Sequence, residues 1–266
     1  MGRRHVPEKL LLHSRVSGSG PVVVLLHGFL SSSEYWRSVA AISEKDHTVI
    51  ALDLLGFGES PKPRRSRYDY DDHIASIEAT LHHLGVTKPF TLVGHSMGSL
   101  IALRYARLFE SKVSRLVLVN MPVMLGKKQV YEEIGSTSFA YRYGLRPYTH
   151  RIAWAIFRSL FRLRLLSGKT VKRLQENAYF FQHTSFSRLR SFQKIIADAS
   201  ADIDLASVRV RTLLLAGIDD RSVYLENLAH RITLSPAVSL ETVKTGHHIP
   251  CVMPSVLASR LRSGVY

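Results

Sequence analysis

The 266-residue sequence contains a single cysteine, Cys251, and therefore cannot form an internal disulfide. We interpret Cys251 as a buried cysteine near a helix start, and scarce cysteine is typical of a reducing compartment, so we expect a cytoplasmic protein. No apolar run approaches the roughly 18 residues that a membrane-spanning helix needs. The apolar run nearest the amino terminus, Leu10–Leu12, is too short for a signal peptide.

Acidic residues are also scarce, with 21 Asp and Glu against 36 Lys and Arg and a net charge of +15. Residues 121–200 alone carry 14 basic and 4 acidic residues, an excess of +10. Such a charge often indicates nucleic acid or an anionic membrane as a partner. No zinc-finger spacing or aromatic RNA-binding motif accompanies it, so we expect no nucleic-acid partner.

Short apolar runs alternate with helical patterns along most of the chain. Runs such as VVVLLH at 22–27 are typical of strands that are buried on both faces of a parallel sheet. The predicted strands are 22–27, 47–53, 90–95, 113–120, 208–218 and 237–244, and the predicted helices are 34–43, 68–85, 97–110, 222–231 and 252–262. This alternation predicts an α/β fold, a mostly parallel sheet with helices on both faces.

The alternation stops between residues 121 and 200, where the pattern is helical without strands. We therefore predict a core formed by residues 1–120 and 201–266, with a helical cap inserted at 121–200. The cap would cover the carboxyl edge of the sheet, where open α/β folds bind ligands.

The segment Gly94-His95-Ser96-Met97-Gly98 separates a predicted strand from a predicted helix. A serine between two glycines is common in ordinary turns, and it is also the pattern of a nucleophile on a tight strand-to-helix turn. A serine nucleophile needs a histidine base, a carboxylate that orients the histidine, and N–H groups that bind an oxyanion. The motif alone therefore does not decide between the two interpretations.

The other parts occur at the ends of other predicted strands. Asp219 and Asp220 follow one strand, His247 and His248 follow the next, and His27-Gly28-Phe29 follow the first. Because parallel strands present their carboxyl ends at one edge of the sheet, all these residues should meet there.

Five motifs in this order give the chain its resemblance to the α/β-hydrolase fold family: HGF at 27–29, DLLGFGES at 53–60, GHSMG at 94–98, GIDD at 217–220 and GHHIP at 246–250. The chain order Ser, Asp, His also matches that family. Two positions depart from it, since Ser99 stands where a second glycine is usual and Met253 precedes Pro254 in place of an acidic residue.

The resemblance implies a role for each of five residues. Ser96 would be the nucleophile, His247 the general base and Asp220 the acid, and the backbone N–H groups of Phe29 and Met97 would form the oxyanion hole. His248 and Asp219 are the alternatives for the base and the acid. His27 and His95 would orient the oxyanion loop at 27–29 and the nucleophile elbow, the strand-to-helix turn at 94–98, and Asp53 would hold the loop after its strand.

These roles predict a serine hydrolase that cleaves a small-molecule carboxylic ester with a hydrophobic or aromatic group. We expect no metal and no organic cofactor, because the remaining histidines show no metal-ligand spacing. Three alternatives stay open: hydrolysis of a carbon–carbon bond in a vinylogous diketone acid, acyl transfer to an alcohol, and a noncatalytic receptor on the same fold.

One stretch of the predicted cap, residues 151–166, has arginines grouped on one side of a helical projection and apolar residues on the other. This pattern is typical of a cap helix that packs its apolar side downward and exposes its arginines. It also fits a helix that contacts an anionic membrane peripherally, so the basic cap is a candidate membrane contact.

Overall fold

The computed structural model describes residues 9–124, 126–137, 182–198, 201–220, 225–230 and 233–262, with the single positions 145, 152, 155, 156 and 159. Seven strands form one sheet in the order β1-β3-β2-β4-β5-β6-β7, and only β1 runs antiparallel to its neighbour. Their bounds are β1 (Ser14–Ser17), β2 (Val22–Leu26), β3 (Thr48–Leu52), β4 (Phe90–His95), β5 (Val113–Val119), β6 (Thr212–Gly217) and β7 (Val238–Val243). The sheet confirms the predicted mostly parallel α/β architecture.

Helices lie between the successive parallel strands and after β7. They are α1 (Arg37–Ser43), α2 (Tyr70–His83), α3 (Met97–Leu108), α4 (Lys127–Thr137), α5 (Ser185–Ser191), α6 (Ala201–Ser207), α7 (Leu225–His230), α8 (Ile249–Val252) and α9 (Pro254–Arg262). A 3₁₀ turn at Ser33–Trp36 leads into α1, and α5 continues into a π-helical turn at Phe192–Ile196.

The sheet separates two hydrophobic cores because alternate residues of each strand point to opposite faces. On β2, Val24 and Leu26 pack into one core, while Val23 and Leu25 pack into the other. All four side chains are at most 1% exposed. Burial on both faces explains why this strand reads as a continuous apolar run.

The order of the strands places β2 between β3 and β4, so successive crossovers from the centre run in opposite directions. Such a switch point leaves a crevice at the carboxyl ends of the strands, where α/β folds bind their ligands. The loops that carry the predicted site residues leave the sheet at this edge.

The predicted cap at 121–200 is described only at its two ends. Helix α4 lies at the first end, and α5 with its π-helical turn lies at the second. The described residues of this segment include no strand. The predicted helix at 151–166 lies mostly outside the described residues, and the cap boundaries stay a prediction.

Two features of the fold differ from the sequence interpretation. Strand β1 was not predicted, since its sequence SRVS contains one apolar residue and pairs only along one edge of the sheet. The prediction that Cys251 is buried is wrong, because it is exposed on α8, whose buried residues are Ile249 and Pro250. Among the described residues, no helix is long and apolar enough to cross a membrane.

Candidate active site

Ser96 lies on a sharp turn between β4 and α3. Its backbone dihedrals are φ 52° and ψ −119°, a conformation that residues with a side chain rarely adopt. The flanking glycines allow this turn: a Cβ on Gly98 would lie 2.4 Å from the carbonyl oxygen of Leu26, and one on Gly94 would lie 2.4 Å from that of Gly98. The motif therefore forms the strained strand-to-helix turn that a nucleophilic serine requires.

His247 and Asp220 form a direct pair at the same edge of the sheet. His247 Nδ1 lies 2.7 Å from Asp220 Oδ2, although the two residues are 27 positions apart. The carboxylate accepts a hydrogen bond from Nδ1–H, and this tautomer of the imidazole carries its lone pair on Nε2. The sequence prediction that these two residues come together at the strand ends agrees with this geometry.

Asn120 supports the same carboxylate from the end of β5. Its side-chain Nδ2 donates to Asp220 Oδ2 over 2.8 Å, and Asn120 itself has a positive φ of 47°. Asp220 is 8% exposed, so both donors stabilise a carboxylate that is largely removed from water. No sequence motif predicts this contact, which joins two side chains 100 positions apart.

The alternatives for the acid and the base, Asp219 and His248, do not take part in this pair. Asp219 is exposed, and its described contact is a backbone hydrogen bond to Thr245. His248 is exposed as well, and its Nδ1 lies 3.2 Å from the Tyr35 hydroxyl. The geometry thus favours Asp220 and His247 over their neighbours.

The predicted oxyanion donors belong to two segments that approach each other. Met97 is the first residue of α3, and N–H groups in a first helical turn have no acceptor within the helix. Gly28 precedes Phe29, and a Cβ on Gly28 would lie 3.2 Å from the Cβ of Ser96. The loop after β2 therefore runs directly beside the serine.

His27 holds that loop in place. Its Nδ1 donates to the carbonyl of Gly28 over 2.7 Å, and its Nε2 accepts from the N–H of Leu54 over 2.9 Å. Burial lowers the pKa of His27 below its ordinary value, against the opposing effects of Asp53 and the Gly28 carbonyl. The neutral ring that results can donate from one nitrogen and accept at the other, as both contacts require.

His95 contacts the backbone of the candidate base. Its Nε2 donates to the carbonyl oxygen of His247 over 2.8 Å, and its ring is stacked on Tyr35 with centroids 4.6 Å apart. Burial and the neighbouring His247 lower the pKa of His95 well below its ordinary value. His95 thus contacts a residue 152 positions away in addition to its expected role at the elbow, and no sequence motif predicts this contact.

Asp53 organises the loop that follows β3. Its carboxylate accepts from the N–H of Ser33 over 2.5 Å and from the N–H of Glu59 over 2.7 Å. Burial alone would raise the pKa of Asp53, but His27 and these two donors outweigh it and lower the pKa. The structure agrees with the prediction that Asp53 holds this loop.

Aromatic side chains form a continuous group beside the loop after β2. The Phe29 ring lies 6.0 Å from Phe57 and 6.1 Å from Phe192, and Phe192 lies 5.3 Å from Tyr131. Phe57 and Phe192 are at most 1% exposed, while Phe29 and Tyr131 are partly exposed. Phe57 and Phe192 thus belong to the core, and the partly exposed Phe29 and Tyr131 continue the group from the segment after β2 and from α4. No cluster of three or more metal-ligating side chains occurs among the described residues.

The sheet, the elbow and the paired histidine and aspartate define an α/β hydrolase. The sequence profile of the alpha/beta hydrolase fold matches residues 21–252, and the chain belongs to that family.

Particular relatives share shorter segments. The chain is 42% identical over 102 residues to the probable lysophospholipase BODYGUARD 4 of Arabidopsis thaliana, a match that covers 38% of this chain and 24% of that protein. It is 38% identical over 111 residues to the cis-3-alkyl-4-alkyloxetan-2-one decarboxylase of Shewanella oneidensis, covering 41% and 35% of the two chains. The chain thus spans about a quarter to a third of the length of these curated relatives.

Among solved structures, an esterase from Exiguobacterium antarcticum superposes with a TM-score of 0.73 and 22% identity. That superposition covers 95% of this chain and 96% of the esterase. At this identity the likeness shows the shared fold.

Proposed function

We propose that this α/β hydrolase cleaves a carboxylic ester with a hydrophobic or aromatic group, through an acyl-enzyme at Ser96. The observation that carries the proposal is the 2.7 Å contact between His247 and Asp220 at the sheet edge where Ser96 occupies a strained turn. An ordinary turn serine needs neither a left-handed backbone nor an oriented imidazole nearby.

In the proposed reaction, Nε2 of His247 takes the Ser96 hydroxyl proton while Oγ attacks the acyl carbon. The N–H groups of Phe29 and Met97 bind the oxyanion of the tetrahedral intermediate. The protonated imidazole, stabilised by Asp220, then gives its proton to the departing alcohol. In the second half, His247 takes a proton from water, the resulting hydroxide attacks the acyl carbon, and Ser96 recovers its proton.

Two observations support a hydrophobic substrate. The partly exposed Phe29 of the proposed oxyanion loop packs on buried Phe57 and Phe192, and Phe192 also contacts partly exposed Tyr131, so the loop has apolar surroundings that suit an apolar acyl chain or ring. The Arabidopsis relative is named as a probable lysophospholipase, and the Exiguobacterium structure is an esterase.

The test is hydrolysis of p-nitrophenyl esters of increasing acyl length, with Ser96→Ala beside the unchanged protein. Asp220→Asn should lower kcat by about 10⁴-fold, because the amide favours the wrong imidazole tautomer. Asp219→Asn is the matched control, an exposed neighbour whose substitution should change kcat by less than about twofold.

Covalent labelling by a fluorophosphonate gives a second readout that needs no particular substrate, and it should disappear in Ser96→Ala. Labelling without ester turnover would favour the alternative in which the protein hydrolyses a carbon–carbon bond. Absence of both, with the fold intact, would favour a noncatalytic receptor.

A further inference from the structure

An exposed aromatic ring lies close to two arginines, on a segment that packs against the loop after β3. Phe186, at the start of α5, is 39% exposed. The guanidinium carbon of Arg64 lies 5.5 Å from the centre of its ring, and that of Arg190 lies 5.2 Å from it. Arg190 also donates to the backbone carbonyls of Arg64 and Ser66 over 2.8 and 2.5 Å, so α5 and the loop after β3 form one surface.

The two segments that form this surface contain no acidic residue. Residues 62–67 read KPRRSR, and residues 186–194 read FSRLRSFQK. We call the surface the basic rim, and its members are Lys62, Arg64, Arg65, Phe186, Arg190 and Lys194. Among the described residues, no carboxylate forms an ion pair with Arg64 or Arg65, and both side chains are exposed. The positive charges of Arg64 and Arg65 are therefore available to an external anion.

The basic rim lies on the same side of the sheet as Ser96. The loop that carries Arg64 also carries Phe57, whose ring lies 5.9 Å from His27 and 6.0 Å from Phe29. A Cβ on Gly56 in that loop would lie 2.4 Å from the Cβ of Ser187, the residue after Phe186. The loop thus borders the proposed oxyanion segment at Phe57 and carries rim residues further along the chain.

We propose that the basic rim docks the protein onto an anionic lipid bilayer and so brings Ser96 to ester substrates in the membrane. Guanidinium groups bind lipid phosphates through paired N–H donors, and an exposed phenyl ring inserts at the boundary between headgroups and acyl chains. A nucleic acid would also neutralise the charge of the rim. Nucleic-acid binding would not explain why a proposed site for hydrophobic esters lies beside the rim, whereas a lipid bilayer supplies such esters. The delivery of substrate rests on the proposed function, whereas the docking itself does not.

The test is cosedimentation with vesicles of phosphatidylcholine that contain about a third phosphatidylglycerol. Arg64→Gln/Arg65→Gln should weaken binding by about fivefold for each arginine removed. Arg190 is left unchanged because it joins the two segments. Phe186→Ser alone should also weaken binding. Its effect should persist at about 0.5 M salt, where screening suppresses the electrostatic contribution.

The matched control is Lys88→Gln/Arg209→Gln, which removes the same charge from exposed positions before β4 and β6, at the opposite edge of the sheet. This pair should change vesicle binding by less than about twofold. Equal melting temperatures would show that each variant is folded.

Equal losses in the two double variants, or equal binding to pure phosphatidylcholine, would overturn the proposal. It would also be overturned if single-stranded RNA, and not vesicles, bound with the same dependence on Arg64 and Arg65. Because sedimentation needs no turnover, docking can succeed where the proposed ester hydrolysis fails, and the reverse.

Discussion

The hydrogen bond from His95 to the carbonyl of His247 allows a direct test of how the proposed base is positioned. The bond is 2.8 Å long and comes from a side chain that is 3% exposed, so its loss would leave the partly buried carbonyl of His247 without this donor. His95→Phe keeps a ring that can stack on Tyr35 but removes the donor. His95→Gln places an amide N–H near the position of Nε2 and should keep the bond.

A buried polar group deprived of its partner costs about 1–3 kcal/mol. If that free energy is expressed as misplacement of His247, His95→Phe should lower kcat/KM by about 5- to 150-fold. The loss should fall on kcat, since His95 contacts Tyr35 and His247 and none of the aromatic side chains proposed to bind the acyl group. His95→Gln should recover most of the activity.

The assay is steady-state hydrolysis of a p-nitrophenyl ester together with the rate of fluorophosphonate labelling. His248→Gln serves as the control, because His248 also contacts Tyr35 but is exposed. The reasoning is refuted if His95→Phe matches the unchanged protein, or if His95→Gln and His95→Phe are equally impaired while both stay folded.

Two further predictions concern stability. Burial lowers the pKa of His73 to about 4, whereas the unfolded chain titrates near 6.5. Between these values the unfolded state binds the proton and the folded state does not, so unfolding becomes easier as the pH falls. Between about pH 7.5 and 5, the free energy of unfolding should therefore fall by about 2 kcal/mol less in His73→Gln than in the unchanged protein, as measured by urea unfolding. Parallel curves of unfolding free energy against pH for the two proteins would contradict this. Gly58→Ala would place a Cβ 2.1 Å from Asp53 Oδ2 at a φ of +51°, and it should cost more than about 2 kcal/mol. Gly85→Ala, at a φ of +71° with open space around it, should cost only about 1 kcal/mol, and equal losses would rule out the steric explanation.

The central strands were predictable from sequence because they are buried on both faces and apolar throughout. The predicted strand 90–95 coincides with β4, and the prediction of 113–120 exceeds β5 by one residue. The predicted strand 208–218 begins too early, since the structure starts β6 at Thr212. Val208 and Val210 are buried without joining the sheet, and burial alone does not tell a strand from the segment that leads into it.

The candidate site was predictable where each part follows a strand, because the fold brings the strand ends together. Ser96, Asp220 and His247 were identified on this basis. The contacts of Asn120 with Asp220 and of His95 with His247 were not predictable, since they join side chains or backbone atoms at least 100 positions apart without a sequence motif. Such contacts depend on the distances between strand ends, which a single sequence does not reveal.

The two hydrogen bonds of His27 also limit how a substrate can enter. They connect the segment after β2 to the loop after β3, and Asp53 connects that loop onward to Ser33. Lifting the Phe29 segment to admit a ligand would therefore break a buried network and disturb a proposed oxyanion donor in the same motion. We expect this wall of the crevice to stay closed during turnover, so that substrate enters and product leaves past other segments around the site.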